Sequence, residues 1–324
     1  MTFVGDIIFG RYRLAGYDPI PEGDFAVFGE IATQLASDVL VGNLETPLVR
    51  ALPPRSPVGS RFSFGAAAEH AEHLRSAGFT AVSLANNHWF DQRAVGIDET
   101  PLILRELGIV PLGGAVREGP VFRVETVEKN GWRLGFVAIT TRTNAPLREG
   151  MPVLPYLTTG DIATTVVPVV TAARADHDLV IVAVHWGDEY ADAPGLAQIR
   201  AAHALVDAGA DLVIGHHPHV LQGVERYGNG LVAYSLGNFL FENTNAIPRL
   251  TGVLRVKARR DGRCLERVVL HPAYIKRMPV QHPVPATGGL GRQVRDRAMA
   301  LSERLDTAWV VEGEDLVLVD PGCG

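Results

Sequence analysis

The sequence has few cysteines, no basic tract and no long apolar run, and each absence excludes a class of protein. Its two cysteines, Cys264 and Cys323, cannot form a disulfide framework, and neither lies in a metal-ligand spacing. A formal charge of −6 and a pI near 6.0 argue against a nucleic-acid or anionic-membrane partner. Because no apolar run approaches the roughly 20 residues of a membrane span, we expect no membrane anchor.

The N-terminal residues carry neither a basic leader nor a long apolar segment, so the sequence predicts no signal peptide. We therefore expect a cytoplasmic protein, unless a misassigned start has removed an upstream leader. Apolar residues make up 47% of the 324 residues and charged residues 20%, which is typical of soluble globular proteins. The length suits one large α/β domain or two ordinary ones.

What the sequence does contain is a cluster of histidines in the segment 215–219, directly after an apolar run. Three imidazoles in four positions, His216, His217 and His219, are difficult to explain by packing alone. Neutral imidazole is the commonest metal-ligating side chain, so the cluster indicates a metal site. Taken by itself, the cluster could also be a polar surface turn that happens to be rich in histidine.

Residues of the same chemical type follow other apolar runs, and this repetition favours the metal site. The runs end in Asp6, in Asn43 and Glu45, in Asn87 and His88, in His185, and in the cluster His216, His217 and His219. Helical patterns alternate with several of these runs, which predicts parallel or mixed sheets with covered faces. Ligands gather outside the carboxyl ends of the strands in such sheets, so we expect these side chains to meet in one place.

The helices and hairpins that separate these runs are also predicted from local patterns. Apolar spacing predicts helices over 25–35, 66–77, 100–107, 194–208 and 291–305. A further helix over 161–175 contains Pro168, which predicts a kink or a break. The segments 122–126 and 133–139 flank Asn130-Gly131 and predict a β-hairpin, and 308–319 predicts a second hairpin.

The candidate ligands restrict both the metal and the chemistry. Carboxylate, amide and imidazole groups without thiolate favour Mn²⁺, Fe²⁺ or Zn²⁺. The set is larger than the four ligands that close a structural site, and it is large enough for two ions. Two neighbouring ions can share a bridging hydroxide and hold the oxygens of a phosphoryl group. The residues therefore predict metal-assisted hydrolysis.

Six motifs, in this order along the chain, resemble the CapA family, which is named for poly-γ-glutamate capsule biosynthesis and belongs to the calcineurin-like metallophosphatase superfamily. They are GDIIFGR at 5–11, NLETPL at 43–48, SLANNH at 83–88, VHWGDEY at 184–190, GHHPHV at 215–220 and YSLGNF at 234–239. The resemblance covers roughly residues 2–275. It implies a four-layer α/β/β/α sandwich of two mixed sheets that holds a dinuclear metal centre. We expect a CapA-type metallophosphatase-like domain over 1–276. Residues 277–324 would form a C-terminal extension, a helix and a hairpin, packed on the same domain.

The resemblance also implies roles for individual residues. Asp6 and His219 would bind the first metal, Glu45 would bridge, and Asn87, His185 and His217 would bind the second metal. His88 would be the catalytic acid that protonates the leaving group. Ile8 stands where the superfamily usually has a further histidine, and Glu45 stands where it has aspartate. We therefore expect the second site to bind its ion more tightly than the first.

Other residues beside the motifs are candidates for contacts with the substrate. Arg11 is expected to take part in catalysis by binding a substrate phosphate or carboxylate, the alternative being a surface charge beside a turn. Trp186 is expected to form a wall of the site. The candidates for substrate binding or for support of the ligands are Asn43, His216, Trp186, Asp188 and Asn238.

Three functions remain open. The first is a phosphoesterase that uses a metal-bridging hydroxide on a small organic phosphate. The second is an amide-bond hydrolase or acyl transferase on γ-glutamyl or peptide-like substrates. The third is a binding or assembly role with vestigial metal sites. Family members in capsule synthesis are commonly membrane-anchored, and the lack of an anchor here favours a soluble enzyme. Its partner would be a small-molecule or peptide-like substrate. Neither the substrate nor the oligomeric state follows from the sequence, and specificity would lie in loops 12–24, 49–63 and 140–160.

Overall fold

The computed structural model describes residues 1–13, 16–20, 25–60, 62–260 and 263–322. Its first strands, in chain order, are β1 (Thr2–Ile7), β2 (Gly10–Arg13), β3 (Gly16–Pro19), β4 (Leu40–Leu44), β5 (Leu48–Val49), β6 (Ser63–Phe64), β7 (Ala66–Ala67), β8 (Ala81–Ser83), β9 (Val110–Leu112), β10 (Glu125–Lys129) and β11 (Trp132–Thr140). The later strands are β12 (Leu179–His185), β13 (Leu212–His216), β14 (Val224–Tyr227), β15 (Gly230–Ala233), β16 (Asn238–Leu240), β17 (Leu250–Arg259), β18 (Cys264–Lys276), β19 (His282–Pro285), β20 (Trp309–Glu312) and β21 (Asp315–Leu318).

The helices lie between these strands. They are α1 (Ala32–Leu35), α2 (Ala71–Ala77), α3 (Arg93–Glu106), α4 (Ile162–Thr165), α5 (Val167–Asp176), α6 (Leu196–Asp207) and α7 (Gly288–Glu303). Short 3₁₀ turns occupy Ala68–His70, Thr159–Asp161 and Ile247–Arg249. Among the described residues, no helix is long and apolar enough to span a bilayer.

Two mixed sheets form the centre of the fold. The larger sheet has the order β20-β21-β18-β17-β1-β4-β8-β9, with β16 also paired to β1 and β19 to β18. The smaller sheet has the order β10-β11-β12-β13-β15-β14. In the larger sheet β1, β4, β8 and β9 are parallel, and in the smaller sheet β11, β12, β13 and β15 are parallel. The parallel strands therefore end at a common edge of each sheet, where their carboxyl termini can converge.

Three apolar clusters place the sheets and helices in layers. One cluster lies between the sheets and joins Phe3 and Leu254 of the larger sheet to Phe136 and Ile181 of the smaller. A second covers the other face of the larger sheet with residues of α2 and α3, and a third covers the smaller sheet with residues of α5 and α6. Strands buried on both faces read as continuous apolar runs, as in Leu179–His185. The predicted four-layer α/β/β/α sandwich of mixed sheets is confirmed.

Local signals in the sequence account for several element boundaries. Asn130 and Gly131 have φ values of 51° and 77°, as a primed hairpin turn between β10 and β11 requires. The helix predicted over 161–175 is interrupted at Val166, and Pro168 lies in the first turn of α5, where its missing N–H is not needed. Gly78 ends α2 with φ 84° and donates to the carbonyls of Leu74 and Arg75.

The helix predicted over 25–35 is wrong in extent, because only Ala32–Leu35 is helical after a series of turns that includes Gly29. The helix predicted over 100–107 begins earlier, at Arg93, and continues through Pro101. In the C-terminal segment, β19, β20 and β21 pair within the larger sheet. The division of the chain at residue 276 stays a prediction.

Candidate metal centre

The strand ends bring the predicted ligands to one buried place between the two sheets. In the larger sheet, Asp6 of β1 lies opposite Asn43 of β4 and Asn238 of β16. In the smaller sheet, His185 of β12 lies opposite His216 of β13. The two edges meet at a hydrogen bond, in which the backbone N–H of His217 donates to Asp6 Oδ2 at 3.3 Å.

Two glycines allow the segment 234–237 to pass close to β1 and β13. A Cβ atom on Gly5, just before Asp6, would lie 1.9 Å from the carbonyl oxygen of Gly237. A Cβ atom on Gly215, just before His216, would lie 2.0 Å from the carbonyl oxygen of Tyr234. Both contacts are with main chain, which cannot move aside cheaply, so only glycine fits.

One group of donors surrounds Asp6, which is fully buried. His219 Nδ1 lies 3.1 Å from Asp6 Oδ2 and 2.9 Å from Asn238 Oδ1. The Asn238 amide also donates to the carbonyl oxygens of His219 and Pro248, which fixes the orientation of its side chain. The predicted first-metal ligands Asp6 and His219 are therefore in contact.

A second group of donors surrounds His185. Its Nε2 lies 2.8 Å from Asn87 Oδ1 and 3.1 Å from His217 Nδ1. These are the residues that the family resemblance assigns to the second metal. The structure brings them together, and the division of the ligands between two ions stays a prediction.

Asn43 and Glu45 lie between the two groups. The Asn43 side-chain amide donates to Asp6 Oδ1 at 2.9 Å and to Glu45 Oε1 at 3.2 Å, and it lies 3.3 Å from His185 Nδ1. Asn86 in turn donates to Asn43 Oδ1 at 3.3 Å. Asn43 thus holds three candidate ligands in fixed relation to one another.

The buried carboxylates indicate that a cation belongs here. Glu45 Oε2 is buried without a hydrogen-bond partner, and within the described ranges no lysine or arginine forms an ion pair with Asp6 or Glu45. Burial and the adjacent Asp6 charge raise the pKa of Glu45 well above its ordinary value. Donor atoms of Asp6, Glu45 and His185 all lie within 4.8 Å of one another. The residues therefore fit a divalent metal ion, whose charge would offset both carboxylates.

The imidazoles are suited to the same purpose. Burial and the neighbouring histidines hold the pKa of His185 well below its ordinary value. Burial lowers the pKa of His217 to about 3, so both rings are neutral at physiological pH and can donate lone pairs. Burial would also lower the pKa of His219, but its contact with Asp6 outweighs burial and raises it.

The backbone of the histidine cluster is strained. His217 and His219 have φ values of 96° and 58°, in the left-handed region that side chains other than glycine rarely adopt. Such conformations persist where the surrounding structure enforces them, and they are concentrated at functional sites. Here they turn two imidazoles from one short segment toward different partners, Asp6 and His185.

His88 and a residue that sequence reasoning missed form a hydrogen-bonded pair beside the ligands. His88 Nδ1 lies 2.7 Å from Asp91 Oδ2, and His88 Nε2 lies 3.9 Å from Glu45 Oε2. Asp91 also accepts from the backbone N–H of Phe64 at 2.7 Å, and the Phe64 ring stacks on His88 at 3.9 Å. The sequence could have revealed Asp91, because a turn from His88 to Asp91 places residues three apart side by side.

The structure contradicts one of the predicted contacts with the substrate. Trp186 does not form a wall of the site, since alternation along the chain turns it away from His185 and into the core against α6. Its indole N–H donates to the carbonyl oxygen of Tyr234 at 3.0 Å. Arg11 pairs with Glu242 and, at 4.0 Å, with Asp18. Its partner across the strands is Phe64, whose ring stacks on His88, and its part in catalysis stays a prediction.

The remaining candidates have structural or peripheral positions. His216 Nε2 lies 3.2 Å from the carbonyl oxygen of Val4, so it joins the two sheets. Asp188 has an 82% exposed side chain and pairs with Arg142, a second residue that sequence reasoning missed. Arg142 lies near enough to His217 to contribute to its lowered pKa, after burial and His219.

Comparison with known proteins identifies relatives along most of the chain. A family model described as "Bacterial capsule synthesis protein PGA_cap" matches residues 1–243. The capsule biosynthesis protein CapA of Bacillus anthracis is 29% identical over 320 residues, covering 98% of this chain and 76% of that protein. The PGA biosynthesis protein CapA of Bacillus subtilis is 30% identical over 271 residues, covering 81% and 68%. A solved Staphylococcus aureus structure, described as a candidate 5′-nucleotidase in complex with α-ketoglutarate, has a TM-score of 0.50 at 14% identity and covers 91% of this chain and 58% of that one.

Proposed function

Because the chain belongs to the PGA_cap family of bacterial capsule synthesis proteins, we propose that it is a metal-dependent hydrolase that cleaves phosphoesters of small organic molecules. The observation that carries the proposal is the buried carboxylate of Glu45. Its Oε2 has no hydrogen-bond partner, and it lies beside the neutral imidazole of His185 and the His88–Asp91 pair. The metallophosphatase-like fold supports the same reaction class, although a fold alone does not define an activity.

The donor set suits two divalent ions, with Mn²⁺, Fe²⁺ and Zn²⁺ as the candidates. Asp6 and His219 would hold one ion, Asn87, His185 and His217 would hold the other, and Glu45 would contact both. Ions bound there would lower the pKa of a water molecule and neutralise charge on phosphoryl oxygens.

The side chains around the ligands would donate a proton to the leaving group and hold the donor in position. His88 would donate a proton from Nε2, the ring nitrogen that faces Glu45, to the departing oxygen of the substrate. Asp91 accepts a hydrogen bond from His88 Nδ1. It would keep the ring in the required orientation and favour the protonated imidazole from which the proton is donated. Phe64 covers one face of the imidazole and excludes water from it.

A second candidate is hydrolysis or transfer of γ-glutamyl or peptide-like amides, and the names of the Bacillus relatives favour it. The same site could act on an amide, since His88 would then protonate the departing nitrogen instead of an oxygen. The two candidates therefore differ in substrate and share their proton donor.

A substrate panel with Mn²⁺ tests both candidates. We expect phosphate release from simple phosphoesters such as 4-nitrophenyl phosphate, and a loss of about 100-fold or more in kcat for His88→Ala. His203→Ala is the matched control, because His203 lies on α6 and stacks on Tyr227 outside the centre. Turnover of γ-glutamyl amides without phosphoester cleavage would favour the second candidate, and turnover of neither would reject both candidates.

A further inference from the structure

A cleft of about 440 Å³ lies beside the candidate metal centre. Its walls come from loop 49–63, from the turn before α3 and from loop 140–160. Its polar lining includes Ser60, Asp91, Arg93, Asn144 and Arg148. Two of the three loops in which specificity was expected therefore form this cleft.

The cleft adjoins the reacting groups through two residues of its lining. Asp91 is hydrogen-bonded to His88 at 2.7 Å, and the backbone N–H of Asn144 donates to the carbonyl oxygen of Asn87 at 3.2 Å. A substrate whose reacting group lies at Asn87 and His88 can therefore extend along the lining of the cleft.

The charges of the lining favour an anion. Arg93 and Arg148 are exposed, and within the part of the chain that the structure describes neither guanidinium has a hydrogen bond or an ion pair. Asp91 is the acid of the lining, and its carboxylate is already engaged by His88 and by the backbone of Phe64. The lining of the cleft therefore offers two guanidinium groups to a ligand, while its one carboxylate is already hydrogen-bonded within the protein.

The backbone at Arg93 supports a specific role for this residue. Its φ of 52° lies in the left-handed region, which costs on the order of 1 kcal/mol for a side chain other than glycine. The segment is held there because Asp91 and Gln92 bind the N–H and the carbonyl oxygen of Phe64, at 2.7 and 2.8 Å. These two hydrogen bonds to Phe64 therefore position both Asp91 and Arg93.

A third guanidinium extends the positive charge toward the metal ligands. Arg142 belongs to the same loop as Asn144 and Arg148, and its Nε is buried without a partner. Its exposed ion pair with Asp188 is the kind of surface contact that contributes little stability and can be exchanged for a substrate anion.

We infer that this cleft is an anion-binding subsite, and that the substrate carries a carboxylate or phosphate group remote from the bond that is cleaved. The guanidinium groups of Arg93 and Arg148 would bind that group by charge-assisted hydrogen bonds. The inference rests on the proposed function only for the position of the reacting group.

Calorimetric titration of the protein as purified tests the subsite. The probes are an N-acetylated peptide of four glutamates, tripolyphosphate, and the matched neutral peptide of four glutamines. We expect at least one of the anions to bind, and the neutral peptide not to bind. Arg93→Gln with Arg148→Gln should weaken anion binding about tenfold, as expected for two solvent-accessible ion pairs of about 0.7 kcal/mol each.

Two further variants separate a direct contact from a general effect of charge or folding. Arg200→Gln with Arg292→Gln removes the same number of exposed charges from α6 and α7, which do not line the cleft, and should leave binding unchanged. Arg93→Lys with Arg148→Lys keeps the charge and should retain more affinity than the glutamine variants. The peptide and the polyphosphate distinguish a carboxylate-bearing from a phosphate-bearing substrate.

The inference is overturned if neither anion binds, if four glutamines bind as well as four glutamates, or if the Arg200 and Arg292 control loses as much affinity as the cleft variant. The proposed function is judged separately, by the turnover of 4-nitrophenyl phosphate by the unmodified protein. Turnover without anion binding in the cleft would reject the subsite alone, and anion binding without turnover would reject the phosphoesterase alone.

Discussion

Replacing Asp91 by asparagine should slow turnover while leaving the fold intact, because the change preserves shape and removes charge. Asp91 is buried, and a single oxygen, Oδ2, accepts from both Phe64 N and His88 Nδ1 at 2.7 Å. An asparagine carbonyl oxygen in the same place can still accept from both donors. What disappears is the negative charge that stabilises the cationic imidazole before it donates its proton.

The size of the effect follows from the two hydrogen bonds. A neutral hydrogen bond contributes about 1 kcal/mol and one to a charged group about 1.5–3 kcal/mol, so the loss of charge at His88 should cost about 1–2 kcal/mol. At 1.36 kcal/mol per factor of ten, kcat should fall roughly 5- to 30-fold. The Michaelis constant for 4-nitrophenyl phosphate should change little, since Asp91 Oδ2 contacts His88 and Phe64 and not the reacting phosphate.

Gln92→Ala provides the matched control for this prediction. Gln92 holds the carbonyl oxygen of Phe64 at 2.8 Å, as Asp91 holds the Phe64 N–H, but Gln92 makes no hydrogen bond to His88. Steady-state kinetics on 4-nitrophenyl phosphate, together with urea unfolding, should show lower stability and nearly normal kcat for Gln92→Ala. Equal losses of kcat in the two variants would refute the reasoning and assign Asp91 to the support of Phe64.

Other parts of the molecule give further predictions. Metal analysis of purified protein should find about one tightly held ion per chain, since the second site is expected to be the tighter one; two tightly held ions, or none, would contradict this. Chelation should lower the unfolding temperature by roughly 5–10 °C, and Mn²⁺ should restore it, because an ion at 1,000 times its Kd stabilises by about 4 kcal/mol. Gly5→Ala should cost about 3 kcal/mol or more and abolish activity, since its Cβ would overlap the Gly237 carbonyl, whereas Gly289→Ala, with open space around it, should be tolerated. Burial raises the pKa of Asp211 to about 6, so this group favours the folded state most strongly below about pH 4, and that contribution is lost as the pH rises to about 6. Urea unfolding of Asp211→Asn should therefore depend less on pH in this window, by up to about 3 kcal/mol, and an unchanged dependence would contradict the assignment.

The position of the centre could be predicted because it depends on strand ends, which are local and repeated. Asp6, Asn43, His185 and His217 each follow or close an apolar run, and parallel pairing then brings them to one edge. The four-layer fold follows from the same runs, because strands that are apolar throughout need cover on both faces. The roles of the individual ligands depended on resemblance to a family and not on the pattern itself.

Other features depend on tertiary packing, which the sequence does not display. Trp186 directly follows the candidate ligand His185, but successive side chains point to opposite faces of a strand. Trp186 therefore points into the core that α6 covers, and the sequence does not show which face that is. Arg11 forms an ion pair with Glu242, more than two hundred residues away along the chain. Arg93 and Arg148 become neighbours only when two distant loops meet, and neither residue is part of a recognisable motif. Asp91 differs from these residues, because its position three residues after His88 could have been used to predict their contact.

The division of the donors between two sheets has a consequence for how the protein matures. Asp6, Glu45 and Asn87 come from the larger sheet, whereas His185, His217 and His219 come from the smaller one. The contact between Asp6 and His217 spans 211 residues, so it must form late compared with local hairpins such as β10–β11. A growing chain on the ribosome carries half of the donors long before the other half emerges. An ion held by both sets of donors would then bind only when the two sheets have packed together, at the last step of folding.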